Sequence, residues 1–471
     1  MTTQAIEIKP SRQRFWRLFR DAVKGTEQDY TTGPIGRSLA LLAIPMVLET
    51  AMESLFALVD VFFVSRLGSD AVATIGLTES MLALVYTAAI GLSIGVAAVV
   101  ARRIGEKDSP GAAEGAMQGI ILGLFVAASV AVIGVVYAPH LLGLMGASSR
   151  VQLSGSGFTR VMLGGSGTVL MLYLINAIFR GAGDASIAMR TLWLANGINI
   201  VLDPCFIFGL GPFPEMGVTG AAVATTIGRG VGVLYQISQL RRRDGRILIR
   251  REHLRIIPAT LGSLVRLSSA GTIQVLVGTA SYIALVRVVS SFGSEVLAGY
   301  TIGIRLLVFA LLPSWGVSNA AATMVGQSLG AGDPDRAVRS VRLAGWANVI
   351  FLGVVSIVFI GLARAIVALF TRDPMVAAEA ALALRTTSAG LVFYAYGMVL
   401  HQSFNGAGDT RTPLLLNLFC FWMLEIPMAW GLSRTGLGPL GVYVSIPISE
   451  AVLTVASAVM FARGSWQTKM V

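Results

Sequence analysis

Three landmarks in this chain recur at one fixed offset. Leu67-Gly68-Ser69-Asp70 returns as Phe292-Gly293-Ser294-Glu295 and Ile104-Gly105 as Leu329-Gly330. Phe179-Arg180-Gly181-Ala182-Gly183-Asp184 returns as Phe404-Asn405-Gly406-Ala407-Gly408-Asp409, and the interval from each landmark to its copy is the same. Chance likeness does not hold one register across three separated motifs, so the fold must be built from two equivalent halves. Duplicated bundles of apolar helices are how many secondary transporters place a central site between halves that rock against each other.

The halves lie in a membrane. Hydrophobic residues make up 55% of the chain and charged ones 13%, and the mean hydropathy is +0.74, far from the averages of soluble domains. The 53 glycines fit, because glycine lets helices approach closely in a bilayer. Cys205 and Cys420 fall inside apolar stretches and suggest no disulfide framework.

Apolar runs long enough to cross a ~30 Å hydrocarbon core predict twelve spans. They lie near 38–64, 75–101, 113–138, 157–179, 187–209 and 218–239, then 259–289, 297–322, 338–362, 381–404, 413–433 and 440–462. The expected fold class is thus all-α and polytopic, with twelve transmembrane helices in two six-helix lobes related by an internal parallel repeat. Six spans per copy leave both copies in the same orientation, with their pseudo-twofold axis along the membrane normal.

Positively charged loops near span ends stay cytoplasmic. Arg12, Arg14, Arg17, Arg20 and Lys24 precede span 1, and Arg102, Arg103 and Lys107 follow span 2. Arg241, Arg242, Arg243, Arg246, Arg250, Arg251 and Arg255 follow span 6, whereas the loop from Gly209 to Gly217 has no basic residue. Both termini are expected in the cytoplasm and the chain in the plasma (inner) membrane, where this asymmetry explains the +11 net charge without nucleic acid. The expected organisation is an amphipathic N-terminal segment (1–37), an N-terminal lobe (38–240), a basic interlobe linker near anionic headgroups (241–258), a C-terminal lobe (259–463) and a tail (464–471). Residues 1–37 lack a small-residue cleavage site after a short apolar core. Phe15, Leu18, Phe19 and Ala22 share one helical face and Arg14, Arg17, Asp21 and Lys24 another, as in a helix lying on the inner leaflet.

Loop chemistry marks the span ends. Asp333-Pro334 reads as N-cap and first-turn proline for span 9, and Thr412-Pro413 as the same for span 11. Gly181 and Gly406 suit left-handed turns after a helix.

Ionisable groups inside spans are costly and therefore informative. Glu49, Glu53 and Asp60 lie within roughly 40° of one another around span 1, forming an acidic stripe toward the protein interior. Asn196, Asn199 and Asp203 form a polar stripe on span 5 by the same spacing. At 1.5 Å per residue Asp203 sits about 24 Å up span 5 and Thr225 roughly 12 Å down span 6, both in the outer half. Asp60 approaches the outer end of span 1. Pro204 deprives the carbonyl of Ile200 of its helical donor. Two carboxylates, an amide, a hydroxyl and a free carbonyl are ligands for a hard cation, and two nearby carboxylates titrate as one coupled unit. Glu425 and Glu450, about midway through spans 11 and 12, could receive a cationic substrate or pair with Arg287 or Arg305. His401 reads as a hydrogen-bonded core residue. Met398 and Phe421 are candidates for an adaptable drug surface.

These residues resemble the multidrug and toxic compound extrusion (MATE) transporters. The resemblance rests on Val59-Asp60 before Arg66-Leu67-Gly68, the Gly-Ala-Gly-Asp loop of each half, Asn199-x-x-x-Asp203-Pro204, and Gly220-Ala221-Ala222-Val223-Ala224-Thr225. It covers residues 31–465. It implies two lobes around a V-shaped cavity and export of small amphipathic organic cations by a monomer, driven by inward H⁺ or Na⁺ without any cofactor. The cation site of the DinF-like branch would fall on Asp60, Asn199, Asp203 and Thr225, which would also be the metal ligands if the ion is Na⁺. Glu49, Glu53, Asn196, Glu425 and Glu450 would be further candidates for a proton path or substrate contacts. The NorM-like pattern of acidic residues in spans 7 and 10 is not met, since span 7 has Gln274 and span 10 has Tyr394 and Tyr396. The resemblance therefore favours the DinF-like branch.

The repeat adds its own argument. At the repeat offset, Glu49, Glu53, Asp60, Asn199 and Asp203 correspond to Gln274, Gly278, Leu285, Leu424 and Met428, so every carboxylate of that set is missing from the second copy. Coupling chemistry is then expected in the first lobe, with ion binding bending span 1. The alternative reading is a flippase for lipid-linked saccharide or peptidoglycan precursor, which would want a cationic cavity for pyrophosphate. An intramembrane enzyme is disfavoured: Lys9, Lys24, Lys107 and Lys469 all lie outside the spans, so no Ser-Lys pair forms, and no phosphate-binding loop supports ATP drive.

Overall fold

A computed structural model describes residues 11–25, 28–64, 67, 69–242 and 245–469. Arg66, Gly68, Arg243 and the first ten residues of the expected N-terminal segment lie outside the described residues, as do the last two of the tail. Among the described residues the structure is helical throughout.

A short helix α1 (Ser11–Lys24) precedes the first lobe. That lobe comprises α2 (Ile35–Val64), α3 (Ser69–Gly105), α4 (Ser109–Leu144), α5 (Ser149–Gly164), α6 (Ser166–Ala182), α7 (Ala185–Phe208) and α8 (Val218–Leu240). The second comprises α9 (Pro258–Ser290), α10 (Ser294–Gly330), α11 (Pro334–Val367), α12 (Pro374–Ser388), α13 (Leu391–Gly406), α14 (Arg411–Asn417), a π-helical stretch Leu418–Glu425, α15 (Ile426–Ser433) and α16 (Pro439–Ala462). The repeat survives as geometry: α3 and α10 are both 37 residues long, and their first residues, Ser69 and Ser294, are repeat counterparts.

Among the described residues ten helices are individually long and apolar enough to cross a membrane, with α5 and α6 counted together as one. The pair α12 and α13, bent by 54°, is the eleventh. The twelfth is α8, 23 residues long, whose apolar character is diluted by buried Thr225, Arg229 and Gln236. The expectation of six spans per lobe holds.

Two capping expectations are refined. Asp333 does cap α11, accepting from the Arg336 amide at 2.8 Å with Pro334 in the first turn. At α14 the helix already begins at Arg411, and Asp409 does the capping by accepting from the Thr412 amide and hydroxyl at 3.4 and 2.8 Å. The left-handed residues are Gly183 (φ 90°) and Gly408 (φ 83°), two positions later than expected. Gly181 and Gly406 instead remain helical because another helix presses on them. A β-carbon at Gly181 would lie 2.8 Å from the Ala97 carbonyl, and one at Gly406 would overlap the carbonyl of Ala322, the repeat counterpart of Ala97.

The lobes meet along α2, α3, α9 and α10. At one face the Gln327 amide donates to the Gly181 carbonyl at 2.9 Å and the Thr323 hydroxyl to the Arg180 carbonyl at 3.1 Å. There Arg336 of the second lobe donates to the carbonyls of Tyr30, Gly33 and Thr32 at 3.0, 2.9 and 2.9 Å. Arg246 covers the Tyr30 ring at 5.1 Å and donates to the carbonyls of Ala182 (2.9 Å) and Gln28. Helix α1 joins this cluster through buried Ala22 and half-buried Leu18. The contacts that tie the lobes together are therefore concentrated at the face bearing residues 28–33.

Candidate functional site

Helices α7 and α8 pack closely, because glycines on α8 let the backbones touch. A β-carbon at Gly228 would stand 2.6 Å from the Ala195 carbonyl. That closeness lets side chains from the two helices share hydrogen bonds. With its amide nitrogen turned toward Asp203, Asn199 donates to Oδ2 at 2.9 Å, and its oxygen accepts from the Thr225 hydroxyl and amide, each at 3.0 Å. Asp203, Asn199 and Thr225 are 0%, 2% and 7% exposed. Asp203 thus has one protein donor at a buried position, leaving oxygen lone pairs for a proton or a cation.

Asp60 of α2 is half-buried and lies within electrostatic reach of Asp203, completing the set expected from the sequence. Two other groups act on Asp60: Glu79 of α3 and Arg229 of α8. Two carboxylates, an amide oxygen and a hydroxyl fit a monovalent hard ion or a proton. No cluster of three or more His, Cys, Asp or Glu of the kind that holds a transition metal occurs among the described residues.

Toward the closed face the polar stripe continues. Glu53 accepts from the Asn196 amide at 3.1 Å and from the Tyr173 hydroxyl at 3.4 Å. Glu49 accepts from the Arg180 guanidinium at 2.7 Å and the Asn176 amide at 3.1 Å, and Gln236 in turn donates to Asn176 at 2.7 Å. Glu49 is thus a paired charge, built into the lobe by α6 and α8.

In the second lobe Glu425 ends the π-helical stretch, accepts from the Ser281 hydroxyl at 3.2 Å and is bonded by Ser449. Glu450 is 8% exposed and within electrostatic reach of Glu425. Among the described residues neither forms an ion pair with Arg287 or Arg305. His401 is bonded to the Asn417 side chain at 2.9 Å, a core role. Met398 is buried with Leu307 and Leu311.

Sequence reasoning passed over Glu79, Tyr86, Tyr173, Arg180 and above all Arg229. The signal for Arg229 was present: it is an arginine in the middle of a predicted span, where a charge is costly.

A twelve-span, duplicated bundle with buried carboxylate, amide and hydroxyl groups gathered in one lobe is the architecture of a membrane transporter. The family model for MatE matches residues 45–205 and 272–430, one stretch in each copy of the repeat. The chain belongs to the MatE family. It is 26% identical over 423 residues to the probable multidrug resistance protein YoeA of Bacillus subtilis, covering 89% of this chain and 91% of the relative. It is 25% identical to a probable multidrug resistance protein NorM of Thermotoga maritima, covering 93% and 94%, and 24% identical to an FAD transporter of Shewanella oneidensis, covering 90% and 94%. A solved MATE in complex with MaL6 is 27% identical with a TM-score of 0.88, covering 95% of this chain and all of that one. An outward-facing multidrug resistance MATE transporter of the MOP superfamily aligns with a TM-score of 0.87 at 27% identity, covering 94% and 98%.

Proposed function

We propose that this chain is a secondary multidrug exporter of the DinF-like branch that extrudes amphipathic organic cations in exchange for inward H⁺ or Na⁺. The observation that carries the reading is the convergence of buried Asp203, Asn199 and Thr225 in the first lobe, with Asp60 within electrostatic reach of Asp203. Binding of the ion there cancels one of the two negative charges shared between Asp60 on α2 and Asp203 on α7 and so relieves their mutual repulsion. That favours one arrangement of α2, which carries Pro45 in its interior and packs against α10 of the other lobe. One conformational equilibrium then links ion entry to drug release.

The basic-loop asymmetry supports both termini lying in the cytoplasm, and the likeness to the family supports a monomer in the plasma membrane. On that orientation the face bearing residues 28–33 is cytoplasmic, and the lobes are closed on that side.

The test is ethidium efflux from proteoliposomes under separate pH and Na⁺ gradients, comparing wild type with Asp203→Asn. Efflux driven by one gradient and lost in the variant establishes the exchange and names the ion. Efflux indifferent to both gradients and to the substitution rejects the site and brings the lipid-precursor flippase forward.

A further inference from the structure

The turn that ends α3 carries a residue its geometry does not favour. Lys107 has a φ of 59° and is the one non-glycine residue in the left-handed region among the described residues. Its amide donates to the Ile104 carbonyl at 3.1 Å, and the Asp108 amide donates to that of Arg103 at 2.9 Å. The turn that ends α10 repeats both bonds at the same lengths, from Gly332 to Leu329 and from Asp333 to Ser328. Gly332, with a φ of 74°, is the repeat counterpart of Lys107. Glycine adopts this conformation without cost and lysine does not. The turn itself has no need of a lysine, and strain kept where glycine serves the twin copy points to a task for the side chain.

Lys107 lines a cleft of about 410 Å³, within the range of small-molecule sites. Asp29 and Thr31 of the loop before α2, Ser109 at the start of α4, Arg246 of the interlobe linker and Gln327 of α10 line it too. Most charges around it are already matched. Arg246 donates to the carbonyls of Ala182 and Gln28 and lies 3.6 Å from Asp184. Arg103 pairs with Glu106 and Asp108 at 3.2 and 3.5 Å. Two unlike charges remain. Among the described residues the Lys107 ammonium has neither an ion pair nor a hydrogen bond. Asp29 accepts from the Thr31 amide and hydroxyl on Oδ1, which leaves Oδ2 without a donor among those residues. Lys107 and Asp29 feel each other's field across the cleft yet stay beyond ion-pair distance.

We infer that this cleft holds a phosphoethanolamine group, with its phosphate on Lys107 and its ammonium on Asp29. A ligand of one sign would match one of the two charges and be repelled by the other, whereas a zwitterion gains a charge-assisted hydrogen bond at each end. Ser109 adds a hydroxyl donor, and the positive end of the α4 dipole favours the larger charge of a phosphate over that of a carboxylate. Asp29 Oδ2 calls for an N–H donor, which a primary ammonium has and a trimethylammonium lacks. Two sources carry this chemistry: the headgroup of a phospholipid and the free phosphomonoester. The inference rests on the proposed orientation only for the side of the membrane from which the group arrives.

The test titrates purified full-length protein in detergent micelles by calorimetry with O-phosphoethanolamine, O-phosphocholine and inorganic phosphate. A second arm uses short-chain phosphatidylethanolamine and phosphatidylcholine of equal acyl length. The ethanolamine form is expected to bind roughly tenfold more tightly than the choline form in at least one arm, the scale of one charge-assisted hydrogen bond. A preference in the free compounds alone assigns a soluble ligand, and one in the lipids assigns a headgroup. Asp29→Asn should erase most of the preference, while Lys107→Gly should weaken both forms by roughly tenfold or more. Lys107→Gly copies the turn of the second lobe and removes its strain. The unliganded variant should therefore unfold at no lower a temperature than wild type, so that lost binding is not lost fold. No binding in either arm, ethanolamine and choline forms bound alike, inorganic phosphate bound as tightly as O-phosphoethanolamine, or affinities unchanged in Lys107→Gly each overturn the proposal. Ethidium efflux from the same preparations reports separately on the exporter reading. Binding that depends on Lys107 with no gradient-driven efflux would sink that reading and leave this one standing.

Discussion

In the first lobe the Arg180 guanidinium donates to Glu49 at 2.7 Å; at the counterpart positions of the second, the Asn405 amide donates to Gln274 at 3.3 Å. The same two helices of each copy hold the same kind of hydrogen bond, once between charges and once between amides. Elsewhere the pattern inverts. Thr225 of the proposed cation site corresponds to Glu450, and Phe56, which borders Arg229, corresponds to Ser281, which bonds Glu425. The first lobe thus sets its acids against guanidinium and amide groups, whereas the second holds two carboxylates among hydroxyls with no cation nearby among the described residues. A duplicated frame fixes where a buried polar contact can form. It leaves open which charges fill it, and the lobes differ in chemistry at that second level.

The strongest way to break this comparison is to neutralise the acids one lobe at a time. Asp203→Asn is expected to reduce gradient-driven export in proteoliposomes to the passive leak, because it removes the fully buried carboxylate of the set and leaves only half-buried Asp60 to hold the ion. Glu450→Gln should keep most of the coupled flux and alter the apparent affinity for a cationic drug. If the two substitutions abolish coupling equally, the division of labour is wrong.

Next in size is the ion pair beneath the cation site. Arg180→Asn copies the second lobe's donor but leaves Glu49 buried and unmatched, which should cost about 3–5 kcal/mol. Adding Glu49→Gln reproduces the amide pair of the second lobe and should restore most of that loss. Asn405→Ala, at the matching place, should cost only about 1 kcal/mol. Thermal unfolding of the purified protein reads all three, and a double substitution no better than the single would show that the frames are not interchangeable.

The latch across the lobes gives a smaller effect. Arg336→Ala removes three hydrogen bonds to the loop at 30–33, and partial rehydration of the freed carbonyls should limit the cost to about 2 kcal/mol. Spin-label distances between the lobes on that face should broaden toward longer values; an unchanged distribution would mean that Gln327 and Thr323 hold the face alone. Acid should not mimic this substitution until well below neutrality. Burial opposes the charge on Asp29, but the Thr31 hydroxyl and amide, with the Lys107 and Arg246 charges, hold its carboxyl below the ordinary value. Its contribution is therefore complete above the usual carboxylate range and lost only as pH falls through the lowered value.

Most of the frame was legible in the sequence because duplication and span length are one-dimensional signals. The spacing of Glu49, Glu53 and Asp60, and of Asn196, Asn199 and Asp203, placed both polar stripes correctly toward the interior. What the sequence could not show was contact between helices far apart in the chain. The match of Arg180 to Glu49 depends on α2 lying within side-chain reach of α6. The placement of Arg229 between rings of α2 and α3 depends on how three helices rotate. Gly181 and Gly406 were misread for the same reason: a glycine pressed by a neighbouring helix and a glycine in a left-handed turn look alike when only local spacing is visible.

The smallest effect tests whether the frame is symmetric where chemistry is not at stake. Asp108 caps α4 by accepting from the Gly111 amide at 2.9 Å, and its repeat counterpart Asp333 caps α11 by accepting from the Arg336 amide at 2.8 Å. Each carboxylate satisfies an amide at a helix start that would otherwise have no partner, and each precedes a proline in the first turn. Asp108→Ala and Asp333→Ala should therefore each cost about 1 kcal/mol, and by nearly the same amount in thermal unfolding. Asp333→Ala carries one added consequence, because its helix start also positions Arg336 for the latch. If it lowers stability well beyond Asp108→Ala, and the excess disappears in an Arg336→Ala background, the asymmetry between the lobes reaches from the buried charges down to the caps.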